Sequence, residues 1–147
     1  MWPDAAPTPE EAARGEIPER YARVLGVVYS PDEEHAVVLL GTNEPPFLYP
    51  YQVVCGRGEN GWYEEISGNG SGWSTTSNLD EVEAGAPNLG VITDWDEAPP
   101  EATAAVVSFD GQDHEVPVRE GYFLFAAWDV PDGLPSDAYP SLERWIT

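Results

Sequence analysis

Turn-forming residues divide this sequence into short segments of similar length, and strand-forming apolar residues fill the segments between them. Asn60-Gly61 and Asp110-Gly111 are the strongest turn signals, because both residues of each pair tolerate the positive φ of a tight hairpin turn. Short strands at such intervals are typical of an all-β domain rather than of alternating strands and helices. We therefore predict antiparallel hairpins through most of the chain.

Two apolar runs are predicted to be inner strands. Between residues 21 and 41, the polar segment 30–34 separates two β-rich runs and indicates a hairpin. Residues 33–41 and 121–129 are apolar on both faces for much of their length, which is typical of strands that are covered on each side.

The two turn dipeptides also predict strand register. If Asn60-Gly61 is a two-residue loop, Cys55 lies opposite Ile66 and Arg57 lies opposite Glu64. A two-residue loop at Asp110-Gly111 places two pairs opposite each other, Val107 with His114 and Ala105 with Val116.

Helix is expected mainly at residues 9–14. Thr8 is a capping residue, Pro9 fits the first helical position and Glu11 the third, while Gly15 and Pro18 end the helix. We predict an N-terminal segment over residues 1–20 and a single β-sandwich domain over residues 21–147. About eight strands in hairpin order imply two packed antiparallel sheets, either an immunoglobulin-like sandwich or a partly open barrel.

Residues 67–87 combine glycine and small polar residues without a sustained period, so they are predicted to form a long loop. Long irregular loops in compact domains often carry function. This segment is therefore the first place to look for a site.

A resemblance supports the β prediction. The segment DGQDHEVPVREGYFLFAAWDVP resembles a C-terminal hairpin found in many uncharacterised small proteins of high-GC actinobacteria, and WYEEISGNGSGW is similar to another segment of those proteins. The resemblance covers about the last two-thirds of the chain. It implies a β-sandwich and a bacterial origin, and it assigns no catalytic residue.

The charge balance excludes several partners. The chain has 27 Asp and Glu against 6 basic residues, all of them arginine, and a formal net charge of −21. Nucleic acids and anionic membranes are poor partners, because both are bound through basic patches. Three accounts of the acidity remain open: a solvated surface, adaptation to high salt, or a face that recognises a basic partner.

The sequence favours a cytoplasmic protein. It has no apolar run near the ~18 residues that suggest a transmembrane helix, and its N-terminus lacks the features of a signal peptide. The single cysteine, Cys55, follows Val53 and Val54 and is expected to be a buried structural thiol. The oligomeric state does not follow from the sequence.

The sequence contains no recognisable motif for catalysis or for binding a metal or a cofactor. Residues 68–72 are glycine-rich but match neither a dinucleotide fingerprint nor a P-loop. His35, His114 and Cys55 share no motif, and we expect them to be remote from one another. Asp94 and Asp96 fall on one side of an extended segment, but without the spacing of an EF-hand.

The preferred hypothesis is a non-catalytic interaction protein, such as an immunity or inhibitor protein, that binds a basic protein partner. The alternative is a small-ligand or carbohydrate-binding domain, or a hydrolase, that uses loop aromatics and carboxylates. The candidate binding surface has Trp73 or Trp95 at its centre and a rim of carboxylates around it. The rim consists of Asp32, Glu33, Glu34, Asp94, Asp96 and Glu97.

Overall fold

Antiparallel strands form most of the chain. A computed structural model describes residues 6–15, 21–42, 50–68, 72–76 and 79–147. Within these ranges lie two short helices, α1 (Pro9–Gly15) and α2 (Leu79–Glu83), and ten strands. The strands are β1 (Arg23–Tyr29), β2 (His35–Gly41), β3 (Tyr51–Gly58), β4 (Gly61–Gly68), β5 (Gly72–Thr75), β6 (Leu89–Glu97), β7 (Ala104–Phe109), β8 (Gln112–Pro117), β9 (Tyr122–Pro131) and β10 (Ser141–Ile146).

The predicted fold class is confirmed. The described strands pair antiparallel in open sheets, and the N-terminal helix begins at the predicted proline. The described residues already form ten strands in three sheets, more than the eight or so strands in two sheets that the sequence predicts. No described helix is long and apolar enough to cross a membrane.

The chain divides into two compact units, Met1–Gly70 and Ser71–Thr147, which are described separately. The division into a segment 1–20 and a domain 21–147 stays a prediction. The first unit is a four-stranded meander in the order β1-β2-β3-β4. β2 is an inner strand, as predicted, and both of its faces are buried from Ala36 to Leu40.

Helix α1 packs against one face of this sheet. Ala13 of the helix joins the buried cluster that includes Ala36, Val38 and Val53. The Cys55 thiol donates a hydrogen bond to the carbonyl oxygen of Pro9 at 3.6 Å, so the buried cysteine contacts the start of the helix. The helix is only seven residues long, and such short helices depend on packing for their stability.

The β3–β4 hairpin forms in a different register from the predicted one. Gly58 pairs with Gly61, so the turn residues are 59 and 60, and Gly61 takes a positive φ of 124°. Because the turn is displaced by one residue, Cys55 lies opposite Glu64 rather than Ile66. Arg57 lies opposite Trp62 rather than Glu64.

The second unit packs two three-stranded sheets against each other, with orders β10-β7-β8 and β5-β6-β9. Its core joins Ala105 and Val107 of one sheet to Phe123 and Phe125 of the other. The Asp110-Gly111 hairpin has the predicted register, with Val107 opposite His114 and Ala105 opposite Val116.

Two predictions for the second unit are wrong. β9 is not an inner strand, because it lies at the edge of its sheet. Its apolar residues are buried because one face of the strand packs against the other sheet. Residues 67–87 are not one long loop, since their described part contains β5 and α2. Gly72–Thr75 is a strand because it pairs with the buried strand β6, and it contains Trp73 and Thr75, which are residues that strands favour; the glycine-rich residues before it led to the prediction of a loop.

Candidate functional site

The β1–β2 turn presents three of the predicted carboxylates to solvent. One oxygen of Asp32 accepts hydrogen bonds from the Ser30 hydroxyl at 2.6 Å and the Glu34 backbone N–H at 3.0 Å. These bonds lower the pKa of the Asp32 carboxyl. Glu33 adopts a left-handed conformation with φ of 60°, which is uncommon for a residue other than glycine. Asp32 thus fixes the turn, and the side chains of Glu33 and Glu34 remain exposed.

The β3–β4 turn lies at the same end of the sheet. In a meander the first and third turns share one end, and the Arg57 backbone N–H donates to the Glu34 carbonyl at 2.8 Å across this end. Glu59 of the β3–β4 turn is also exposed. We call this surface, formed by Asp32, Glu33, Glu34 and Glu59, the acidic end of the first unit.

Two exposed tyrosines flank the acidic end. Tyr29 and Tyr63 are each 46% exposed, and their strand pairings place them on opposite faces of the sheet. The Tyr29 ring packs edge-on against the buried Trp62 ring, with 5.8 Å between ring centroids. The Tyr63 hydroxyl donates a hydrogen bond to Glu65 at 3.3 Å.

In the sequence, these two tyrosines are marked by their position at the ends of apolar runs. Tyr29 closes the apolar run before the segment 30–34, and Tyr63 follows the Asn60-Gly61 pair. An aromatic residue at a strand end can be buried or exposed, and the sequence does not distinguish the two. The predicted binding residues therefore include neither tyrosine, although Tyr63 is one of the loop aromatics on which the alternative function depends.

His35 lies beside the acidic end and contacts a carboxylate. Its Nε2 atom is 3.7 Å from an oxygen of Glu65. This contact raises the pKa of His35, while partial burial opposes the shift and the carboxylates of Asp32 and Glu34 add to it. His35 pairs with Gly56 and so lies on the face of the sheet opposite to the Cys55 thiol.

Trp73 has a structural role. Its indole N–H donates to the Val130 carbonyl at 3.0 Å, and its ring lies over Gly90 of β6. A Cβ atom at Gly90 would stand 2.7 Å from the ring and would also collide with the Ser74 carbonyl. The ring is thus held across the sheet, which does not favour Trp73 as the centre of an interface.

The other predicted residues lie on β6, but they do not face the same way. Asp94 and Asp96 pair with Phe125 and Phe123, whose side chains belong to the core between the sheets. Trp95 alternates with them and points to the other face, where its ring centroid is 6.5 Å from that of Tyr122. The aromatic ring and the two carboxylates therefore do not converge on one ligand.

Asp94 is the most perturbed carboxyl group in the second unit. It is half-buried, and desolvation, followed by repulsion from Asp96, raises the pKa of Asp94 to about 6. Asp96 and Glu97 are exposed at the end of β6. The prediction that these carboxylates share one rim with Asp32, Glu33 and Glu34 stays a prediction.

Within the described ranges, three or more His, Cys, Asp or Glu side chains do not come together in an arrangement that could hold a metal ion. Comparison with family models, with curated proteins and with solved structures finds no match to this chain.

Proposed function

We propose that this chain is a non-catalytic interaction protein that binds a basic protein partner, in the manner of an immunity or inhibitor protein from bacteria. The first support is the charge of the whole chain. Even if each of the 6 arginines neutralised one of the 27 carboxylates, a net charge of −21 would remain at neutral pH. A cytoplasmic location, expected from the sequence, is part of the same proposal.

The acidic end is the observation that carries the proposal. Four exposed carboxylates lie on two neighbouring turns, and a backbone hydrogen bond from Arg57 to Glu34 joins the turns. Exposed aromatic rings, Tyr29 and Tyr63, adjoin the carboxylates. Interfaces gain most of their energy from a few desolvated anchors, often aromatic, while charges at the rim steer association. The acidic end combines both features.

The alternative, a small-ligand or carbohydrate-binding domain or hydrolase, has less support. It requires a tryptophan beside several carboxylates, whereas β6 directs Trp95 away from Asp94 and Asp96, and Trp95 shares its face with one of the predicted carboxylates, Glu97. The raised pKa of Asp94 is accounted for by burial and by the neighbouring Asp96. Neither observation requires a ligand.

Affinity capture from the native host at low salt is the first experiment, using the full chain. A captured protein of basic charge would be purified and its association rate with the chain measured. We then expect the triple variant Glu33→Arg, Glu34→Arg and Glu59→Arg to associate about tenfold more slowly at low salt, because steering scales with local charge. Asp32 is left intact because it fixes the turn.

A matched control has the same change in net charge at another place. Asp113→Arg, Glu115→Arg and Glu143→Arg alter three exposed carboxylates of the second unit. A third variant, Asp96→Arg with Glu97→Arg, tests the other half of the predicted rim. The effect at the acidic end should shrink as salt rises and shortens the screening length below ~10 Å. Equal slowing by the first two variants would show that only total charge matters and would refute the acidic end as the interface.

A further inference from the structure

Three side chains of the first unit converge above one glycine. Gly56 of β3 pairs with His35 of β2 on one side and with Tyr63 of β4 on the other. Glu65 lies over this glycine, because a Cβ atom at Gly56 would collide with the Oε1 atom of Glu65 and would stand 2.8 Å from the Tyr63 hydroxyl oxygen. A glycine at this position therefore leaves room for the carboxylate beside the imidazole and the phenol.

One oxygen atom of Glu65 contacts both neighbours. Oε1 accepts a hydrogen bond from the Tyr63 hydroxyl at 3.3 Å and lies 3.7 Å from Nε2 of His35. The side chains of His35 and Glu65 are only 27% and 21% exposed, so solvent and salt screen this pair less than a pair on the open surface. The phenol thus holds the carboxylate in place, while the carboxylate faces a group that titrates near neutral pH.

The backbone of His35 is tied to the β1–β2 turn. Its N–H donates to the Ser30 hydroxyl at 3.0 Å, and that hydroxyl donates in turn to Asp32 at 2.6 Å. The His35 carbonyl oxygen accepts a hydrogen bond from the Ser30 N–H at 2.9 Å. Glu34 directly precedes His35, and its carbonyl oxygen accepts the backbone N–H of Arg57. These bonds fix His35 at the border of the acidic end.

Three carboxylates near His35 favour its protonated form. The contact with Glu65 raises the pKa of His35, partial burial opposes the shift, and the charges of Asp32 and Glu34 add to the rise. Glu65 belongs to β4, whereas Asp32 and Glu34 belong to the β1–β2 turn. Protonation of the imidazole is therefore coupled to two parts of the sheet.

Two further residues decide which charges face the imidazole. Burial, and then the charge of Glu65, raise the pKa of the Tyr63 phenol, so Tyr63 stays neutral over the range in which His35 titrates. Arg57, the arginine of β3, lies on the other face, where its Cζ atom is 5.9 Å from the centroid of the Trp62 ring. Arg57 therefore does not take the place of His35 beside Glu65.

We propose that His35 and Glu65 form a pH-sensitive pair that sets the negative charge of the acidic end near neutral pH. In the protonated state, Glu65 holds the imidazolium, which offsets one negative charge beside the turn. As the pH rises, His35 loses its proton and the Glu65 carboxylate loses its cation. The acidic end then attracts a basic partner more strongly. This inference rests on the proposed function, because it concerns the regulation of the same surface.

The coupling also acts in the opposite direction. A basic partner that prefers the neutral form of His35 must, by linkage, release protons from the chain when it binds. Lower pH should therefore weaken association, and binding at a fixed pH near neutral should release a fraction of one proton. Both effects require the imidazole to lie within the screening length of the interface, about 10 Å at 0.1 M salt.

The first test measures His35 in the full chain without a partner. NMR of the histidine ring signals over about pH 5 to 9 gives the pKa of His35, and His35→Gln identifies its signal, because the chain has two histidines. We expect Glu65→Gln to lower the pKa of His35 toward its ordinary value. Glu59→Gln is the matched control, since it removes the same charge from the other turn of the acidic end, and it should shift this pKa less.

The second test measures the electrostatic potential at the acidic end. A cationic nitroxide, aminomethyl-PROXYL, is compared with the neutral carbamoyl-PROXYL by the paramagnetic relaxation of the backbone amides of Glu33, Glu34 and Glu59. At low salt we expect the preference for the cationic probe to rise about twofold between about pH 6 and 8, the effect of one unit charge at roughly 10 Å in water. His35→Gln should lose most of this rise, and the matched variant His114→Gln should keep it. Backbone spectra confirm that each variant is folded.

Two results would overturn the inference: a pKa of His35 that Glu65→Gln leaves unchanged, or an equal pH response of the acidic end in the natural chain and in His35→Gln. If charge reversal at the acidic end slows partner association but the nitroxide response does not depend on His35, this inference fails and the proposed function stands. If the nitroxide response follows His35 and no basic partner is captured, the pH-sensitive pair stands and the proposed function fails.

Discussion

Asp94 shows how a single carboxyl group can set the pH dependence of stability. Its pKa is raised to about 6 by burial and by Asp96, so the folded chain holds a proton more tightly than the unfolded chain does. The contribution of Asp94 to the free energy of unfolding is therefore fully present below the pKa that this group has in the unfolded chain. It is lost as the pH rises from about 4 to about 6, the pKa in the folded chain.

Asp94→Asn should remove this dependence. We expect the variant to be more stable than the natural chain at pH 7, by about 1 kcal/mol once solvent screening of this partly exposed group is allowed for, and the difference to shrink toward pH 4. Urea unfolding at a series of pH values measures it. Asp96→Asn, at an exposed position two residues away, is the control and should give a smaller difference. A stability difference for Asp94→Asn that does not vary with pH would contradict the assignment.

Cys55 should be unreactive in the folded chain. Burial, and then the charges of Glu64, Glu65 and Glu10, raise the pKa of its thiol to about 12, and thiols react as thiolates. At pH 8 we expect a thiol-reactive dye to label the native chain very slowly and the urea-unfolded chain within minutes. Because the sequence has one cysteine, the labelling signal has a single source. Rapid labelling of the native chain would show that α1 does not protect this thiol.

Among the elements, the two predicted hairpins differ in how well their sequences determine the position of the turn. Asp110 and Gly111 both have positive φ, at 53° and 73°, so this turn has the geometry that its sequence predicts. Asn60 does not have positive φ, and the turn instead uses residues 59 and 60 with Gly61 following them. The Asn-Gly dipeptide is compatible with two turns that differ by one residue, so it does not determine the register by itself. The register depends on how the residues along the two strands pair.

The candidate site was predictable only in part. The acidic turn 30–34 is evident from the sequence because charged and turn-forming residues separate two apolar runs. The contact between Tyr29 and Trp62 is not evident from the sequence, since it arises from the order of the strands in the sheet. Contacts between elements that are distant in sequence leave no local pattern.

Gly90 of β6 provides a test of how β5 is held. Gly90→Ala should destabilise the chain by about 1–3 kcal/mol, because the added methyl group collides with the Trp73 ring and with a backbone oxygen. Gly68→Ala is the matched control, as it is a strand glycine with open space around its Cβ position. Thermal unfolding compares the two variants, and equal stability would show that Trp73 can move aside at little cost.

At the scale of the whole molecule, the net charge of −21 should weaken the folded state through self-repulsion. We expect the melting temperature at pH 7 to rise by several degrees as sodium chloride increases from about 20 to 200 mM, since the screening length falls over this range. Calorimetry measures the effect. A continued rise up to molar salt would instead favour adaptation to high salt as the account of the acidity.

The pairing of Ala6 with β4 has a consequence for neighbouring copies of the protein. Ala6 exchanges two backbone hydrogen bonds with Trp62, at 2.9 and 2.8 Å, along the open side of β4. β4 ends the order of its sheet, and the edge of a sheet can pair with another chain. Ala6 thus occupies part of this edge. Release of Ala6 would leave the backbone N–H and carbonyl groups of Trp62 open to pairing with the edge strand of a second copy, which is a route to strand-mediated association.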